Sequence, residues 1–343
     1  MHWSVFHKGI FIAILAHALI GVSLLSDKVL LRQQQIKNLA SYIFWLGIIS
    51  IFGLALIPFG FTFPGWSVAG LAFGAGICNL IANFLYYGAL KKGEASETLA
   101  MMGGFSPVCT ALIAIPLLAQ PLCRDCLPSF VLMVSGGFLM FFSEKVPPRR
   151  IMRWVISASA VFGLVNVLEK VVFNNTNFVS GYVFFTIGTF VASLLMLLRP
   201  RWRASILADS EEAPPRSRTW YLANRFAAGV GSFLIFYAVS LDSPAIVDAI
   251  TGIRYVIIFL GAYSISLRRP AWLYENFTGW ALVGKSAATA LVVAGLVLLG
   301  IKGSGSGQSA RSTTPQATTD APSHRCHVTC SPRRYLARTV SRM

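Results

Sequence analysis

Residues 40–60 read ASYIFWLGIISIFGLALIPFG, a stretch without one charged side chain. As a helix rising about 1.5 Å per residue, it covers about 30 Å, the hydrocarbon thickness of a bilayer. Further runs of the same kind lie on either side, at 9–26, 67–90, 95–119, 127–143, 153–173, 179–198, 219–240, 244–266 and 279–301. The first follows MHWSVFHK, as the core of a signal peptide would. The next residues, SDKVLLRQQQ, offer no small-residue cleavage site, so this run reads as a retained helix. The pattern predicts an all-α integral membrane protein of ten transmembrane helices.

The composition agrees. Apolar residues make up 55% of the 343 positions and charged residues 12%. A soluble domain carries about 25% charged residues. So few charges cannot cover a water-facing surface, which disfavours a soluble enzyme, a coiled coil and a disordered chain. The net charge is +16, from 29 Lys and Arg against 13 Asp and Glu. These charges sit between the apolar runs, where they flank a membrane rather than form a nucleic-acid surface. Six cysteines make no disulfide scaffold.

Most connections are short. GFTFPGW, KKGEASE, NNTNF and LDSP leave room for a tight reversal only. The longest, RPRWRASILADSEEAPPRSR at 199–218, reads as a solvated loop from its prolines and dense charge. From Lys302 the chain becomes rich in Gly, Ser and Thr, a flexible linker leading to a disordered basic tail.

The two halves resemble one another. Residues 83–121 align without a gap on 232–270, with identities such as Phe84/Phe233, Leu85/Leu234, Ala89/Ala238, Gly103/Gly252 and Pro121/Pro270. GVSLLSDKVLL (21–31) likewise lies against GLVNVLEKVVF (163–173). Five helices per half means that the second half enters the membrane inverted. Inverted repeats of this kind build alternating-access carriers, with the substrate site near the midplane. The expected units are 1–146 and 147–301, each a five-helix repeat, and the tail 302–343.

The stretch SPVCTALIAIPLLAQPLCRDCLPSFVLMVSGGFLMFF (106–142) carries Ser106-Pro107, an aliphatic run, a short loop and a helix containing Gly136-Gly137. The second half closes similarly on ALVVAGLVLLG. In these features the chain resembles EamA-type members of the drug/metabolite transporter superfamily, over residues 1–301. It departs from them at Ala119-Gln120-Pro121, where the family often has Gly-Glu. It departs again at Tyr255-Val256, opposite Ser106-Pro107. The resemblance implies a secondary carrier of a small organic metabolite; the substrate stays open.

Orientation is left between two readings. Lys28, Arg32, Lys91, Lys92, Arg149, Arg150, Arg199, Arg201 and Arg203 fall on one side, against Lys8 and Arg124 on the other. The positive-inside rule then puts both termini outside, whereas the resemblance implies both inside.

Ionisable and amide groups inside the runs need a reason, because a charge at the bilayer centre costs about 2.5 kcal/mol or more. Arg254, ten residues into the ninth run, is either an anchor for a carboxylate or phosphate or a structural partner of Asp248. Asp248, Thr251 and Tyr255 share a face at i, i+3, i+7 spacing, with Arg254 offset from it. Asp248 is a candidate proton or cation partner, or a first-turn acid favoured by the helix dipole. Asn79, Asn83 and Tyr86 share a face of the third run, with Tyr87 beside them, and either line a cavity or join helices. His17 reads as a packing residue, and Lys170, Arg225 and Lys285 read as snorkelling to the headgroups. Pro107 and Pro116 kink the fourth run.

Two motifs are set aside. GWALVGKS (279–286) matches a P-loop pattern but lacks the preceding strand and soluble helix that cradle phosphates. Cys123, Cys126, Cys326 and Cys330 have poor zinc spacing. No metal, cofactor or nucleic acid is expected. The partners are the lipid bilayer and a small-molecule substrate bound by Arg254, Asp248, Tyr255, Thr251, Asn79, Asn83 and Tyr86. The rival is a non-transporting membrane scaffold or regulator with a transporter fold. The compact chain suits a bacterial inner membrane, and the oligomeric state is open.

Overall fold

The computed structural model describes residues 3–32, 38–92, 95–118, 124, 126–142, 149–212, 215–268 and 279–309. Every regular element among them is helical. The chain begins with α1 (Trp3–Arg32) and α2 (Leu39–Ile49), the latter continued by a 3-10 segment (Ser50–Phe59). Next come α3 (Trp66–Lys92), α4 (Ala95–Leu118), α5 (Leu127–Phe142) and α6 (Arg149–Asn175). Then follow α7 (Phe178–Leu195), α8 (Pro200–Glu212), α9 (Pro215–Leu241), α10 (Pro244–Ala249), α11 (Gly252–Arg268) and α12 (Trp280–Ser309). Among the described residues 9 stretches are long and apolar enough to cross a membrane, and α5 is a shorter apolar helix. The molecule is an all-α, multi-pass membrane protein.

Two of the apolar runs are not continuous α-helices. In the run at 40–60 the ladder tightens at Ser50. Its hydroxyl has one proton to donate and two carbonyls in reach, Gly47 at 2.6 Å and Thr186 at 3.1 Å, so it competes with the helix's own bonds. Gly60, at φ 104°, then ends the 3-10 segment in a left-handed turn. The run at 244–266 breaks between α10 and α11. There the Thr251 N–H bonds the Asp248 carbonyl at 3.0 Å, and the Arg254 N–H bonds the Thr251 carbonyl at 2.9 Å. These are three-residue rather than four-residue turns.

Two connections also differ from the sequence reading. Residues 200–212 form helix α8 instead of a solvated loop. Pro200 occupies its first position, where the missing N–H costs nothing. Ile206 is buried, and Trp202 packs in the same cluster with Tyr42 and Ile43 of α2. At the other end α12 runs on to Ser309, past Lys302, because extending an existing helix gains one bond per residue fixed. Most of the expected tail lies outside the described residues.

Lipid tails are as apolar as leucine, so helices in a membrane associate through close backbone approach and polar contacts. The α3–α7 seam shows this best. A Cβ on Gly76 would lie 2.1 Å from the Phe185 carbonyl oxygen, and one on Gly188 would lie 2.1 Å from that of Phe73. The α5–α12 seam is similar, with Gly136 against Ala288 and Gly295 against Ser129. Elsewhere α1 packs on α9, α3 on α6, and α4 on both α5 and α6. By contrast α2 touches α9 only lightly, and the 3-10 segment packs on α7.

Because both contacts at the α3–α7 seam are with backbone, no rotamer change relieves a new side chain. Gly76→Val or Gly188→Val is expected to cost about 3 kcal/mol or more, at the upper end of overpacking penalties. This would appear as a loss of monodisperse protein and a lower melting temperature in detergent. Gly70→Ala and Gly74→Ala, where a Cβ meets nothing within 4 Å, are expected to leave both unchanged.

Candidate functional site

The bundle encloses a cavity of about 450 Å³, within the range of small-molecule sites, about 300–1,000 Å³. Its walls come from α1, α2 with the 3-10 segment, α3, α4, α6, α7, α9, α10 and α11.

The broken helix supplies the charged floor. Asp248 is buried, and its Oδ2 accepts hydrogen bonds from Ser106 Oγ at 2.8 Å and from Thr110 Oγ1. Ser106 and Thr110 stand one turn apart on α4, so one helix face presents two hydroxyls to one carboxylate oxygen. Thr251 Oγ1 lies at 3.5 Å from Oδ1. Arg254 donates from Nε to His17 Nδ1 at 2.9 Å, and His17 Nε2 lies 2.9 Å from the Val247 carbonyl. A neutral imidazole carrying its proton on Nε2 satisfies both contacts. His17 is therefore a buried link from α1 to both sides of the helix break.

The tight turns decide which side chains face inward. On a regular α-helix Arg254 stands offset from Asp248 and Thr251. At three residues per turn, positions 248, 251 and 254 eclipse one another, and all three line the cavity. Across from them α3 presents Asn79, Asn83, Tyr86 and Tyr87, and α6 presents Asn166. Asn83 Nδ2 donates to the Asn79 carbonyl at 2.8 Å, which fixes the amide against its own helix. Two arginines, Arg225 and Arg254, stand against one aspartate, Asp248, on the lining. The ionic balance of the wall favours an anion.

Of the residues singled out in the sequence, Asn79, Asn83, Tyr86, Asp248, Thr251 and Arg254 line this one cavity. The side chain of Tyr255 lies outside the described residues. Sequence reasoning missed Ser106 and Thr110 as the donors to Asp248. Their i, i+4 hydroxyl spacing was the available signal. Tyr182 and Thr186 of α7 also line the cavity and left no signal among their apolar neighbours.

The snorkelling expectations do not hold. Arg225 is 4% exposed, donates from Nη1 to the Tyr87 hydroxyl at 3.2 Å, and stacks its guanidinium 4.8 Å over the Tyr42 ring. Lys170 donates to the carbonyls of Val239 at 3.0 Å and Ser240 at 3.1 Å, on α9. Lys285 is buried as well. Snorkelling needs an open path along the helix, and α2 and α3 stand beside Arg225 and α9 beside Lys170. Glu169 is 0% exposed, and neither carboxyl oxygen has a hydrogen-bond partner among the described residues.

Among the described residues no three His, Cys, Asp or Glu side chains gather as a metal ion would require. Cys123, Cys326 and Cys330 lie outside them. The P-loop-like residues 280–286 form the first turns of α12.

No family model and no curated protein matches the chain. Solved structures do match, among them one described only as "Crystal structure of protein". It has a TM-score of 0.55 at 15% identity, and the match covers 91% of this chain and 99% of that one. At this identity the likeness is one of fold alone.

Two stability outcomes follow from the geometry. Thr110→Val removes a donor from a buried carboxylate and is expected to cost about 1.5–3 kcal/mol. In an Asp248→Asn background the same change is expected to cost measurably less, as a double-mutant cycle in denaturation would show. Glu169→Met removes an unsatisfied buried acid at similar volume. It is expected to stabilise the protein by about 1–3 kcal/mol, read as a higher melting temperature.

Proposed function

We propose that the chain is a secondary carrier that moves a small organic metabolite bearing a negative or zwitterionic group by alternating access. The observation that carries this reading is the cavity itself, at the middle of the bundle, with polar lining from both halves of the chain. His17, Asn79, Asn83 and Ser106 come from the first half, and Asn166, Asp248, Thr251 and Arg254 from the second.

We take α2 with its 3-10 segment, and α10 with α11, as one transmembrane unit each, which gives ten. The pairing of helices supports an inverted repeat. Exchanging each helix of the first half for its counterpart in the second turns the α1–α9 contact into α6–α3. The same exchange turns α4–α6 into α11–α1 and returns α5–α12 to itself; all of these contacts are present. Some pairs break the symmetry, and one does so most strongly. α3 is seated tightly on α7, while its counterpart, α2 against α9, is nearly open. A carrier caught in one of two states has such unequal seams. These features favour the EamA-type resemblance, and the compact build suits a bacterial inner membrane. A scaffold built on the same fold needs no cavity and has Asp248 tied to Arg254. Asp248 also accepts hydrogen bonds from the Ser106 and Thr110 hydroxyls of α4, so it is more than the partner of an ion pair.

Arg254 is the proposed anion anchor, Asp248 the proton or cation partner, and Asn79, Asn83, Tyr86, Thr251 and Tyr255 the surrounding wall. In a thermal-shift screen on purified protein, acidic metabolites are expected to raise the melting temperature of the native chain, because a ligand of the folded state stabilises it. Arg254→Ala is expected to abolish that shift, and Arg254→Lys to retain part of it. If cationic or neutral compounds shift native and Arg254→Ala proteins equally, the anion reading is wrong. If no compound shifts either at millimolar concentration, the carrier reading gives way to the scaffold.

A further inference from the structure

Where the cavity opens says more about its ligand. The gap between the 3-10 segment and α9 is walled by residues that both line the cavity and face outward. Phe52, 68% exposed, stands on one side, and Phe226, 63%, and Val230, 38%, stand on the other. Ala55 and Gly229, also exposed, complete the rim. All five lack charge and hydrogen-bonding side chains. Phe52 lies in the middle third of the span Leu39–Phe59, and Gly229 and Val230 in that of Leu222–Leu241. In a hydrocarbon layer about 30 Å thick, the middle third is about 10 Å from either water boundary. The opening therefore faces lipid tails.

The inner end of the same passage is polar. It ends at Arg254, Asp248, Thr251, Asn79 and Asn83, and Arg225 adds the second cation of the lining, which leaves the wall as a whole net positive. The rest of the lining is largely apolar and aromatic, with Phe162, Phe185, Phe233 and Phe236, interrupted by Tyr182, Thr186 and Thr189. A ligand that fits the whole passage has a charged head and an apolar body. From the bilayer its body enters without leaving a hydrocarbon environment, and only the head is transferred to protein.

We infer that this protein takes an amphiphile with an acidic head group, entering sideways from the bilayer through the opening between the 3-10 segment and α9. This rests on the carrier reading and names its substrate class.

Gly229 offers a clean way to close the opening, since a Cβ there meets nothing within 4 Å. Gly229→Trp starts a large side chain from open space at the rim, and Ala55→Trp adds one at an exposed position on the facing side. The protein is placed in nanodiscs of phosphatidylcholine and titrated with N-acetylglycine and N-dodecanoylglycine, and the melting temperature is followed. Both acids are expected to stabilise the wild type, the long-chain acid at a lower concentration. Each Trp variant is expected to need at least about tenfold more of the long-chain acid for the same shift, the equivalent of about two methylenes denied their site. Its response to N-acetylglycine is expected to be unchanged. Partitioning into the bilayer is the same for all variants, so it cannot produce that difference. A long-chain response that survives both Trp substitutions overturns lateral entry while leaving the carrier reading intact. A response to N-acetylglycine alone also overturns the amphiphile assignment. If neither acid shifts the wild type, the acid-binding carrier reading fails and this inference fails with it.

Discussion

A carboxylate and a guanidinium, Asp248 and Arg254, stand six residues apart inside a membrane-spanning segment, the first buried and the second half-buried. An unpaired charge in that setting costs several kcal/mol. The arrangement around them answers this constraint. α4 brings two hydroxyls to one carboxylate oxygen. α1 brings an imidazole whose free lone pair accepts from the guanidinium. The helix breaks between the two charges, and the freed Val247 carbonyl holds the far side of that imidazole. Three helices are thereby placed relative to one another by a handful of polar contacts. The cavity is the space left over among them.

The apolar seams complete this frame in a different way. At α3–α7 and α5–α12 glycines let backbone meet backbone. Such contacts have little tolerance for displacement and fix the distance between helices closely. The seam between α2 and α9 has no comparable contact along the 3-10 segment. Arg225 spans it at one end, held on Tyr42 and Tyr87. The molecule is thus close-packed along its glycine seams and open along the α2–α9 line, and the cavity lies against that line.

Much of this was legible in the sequence. Runs of apolar residues gave the membrane class and nearly every spanning segment, since length and hydropathy are properties of a helix by itself. The 3.6-residue period correctly grouped Asn79, Asn83 and Tyr86. It failed for Arg254, set apart from Asp248 and Thr251 by a rule that holds only while the helix is regular. The tighter turns that align the three depend on contacts with α1 and α4, which no local window contains. Lys170, Arg225 and Lys285 were misread for a related reason. Whether a long cationic side chain reaches water depends on what packs beside its stem, and that is decided by distant segments. The helix at 200–212 was hidden by composition, and its apolar contacts with α2 come from Trp202 and Ile206.

The charges inside the spans are distributed unevenly along the chain, and this bears on how the protein is made. Glu169, Lys170, Arg225, Asp248, Arg254 and Lys285 all lie in spans that emerge after residue 146, each raising the cost of leaving the translocon as a lone helix. The interior of the earlier described spans is uncharged, and those helices insert unaided. They also hold the groups that receive the later charges: His17 for Arg254, Ser106 and Thr110 for Asp248, and Tyr42 and Tyr87 for Arg225. For Arg225, Asp248 and Arg254, synthesis from the N-terminus therefore sets down the receptors before the charges arrive, whereas Lys170 meets its acceptors, Val239 and Ser240, only later. The partners of these three charges thus lie in helices α1 to α4, which precede them in the chain.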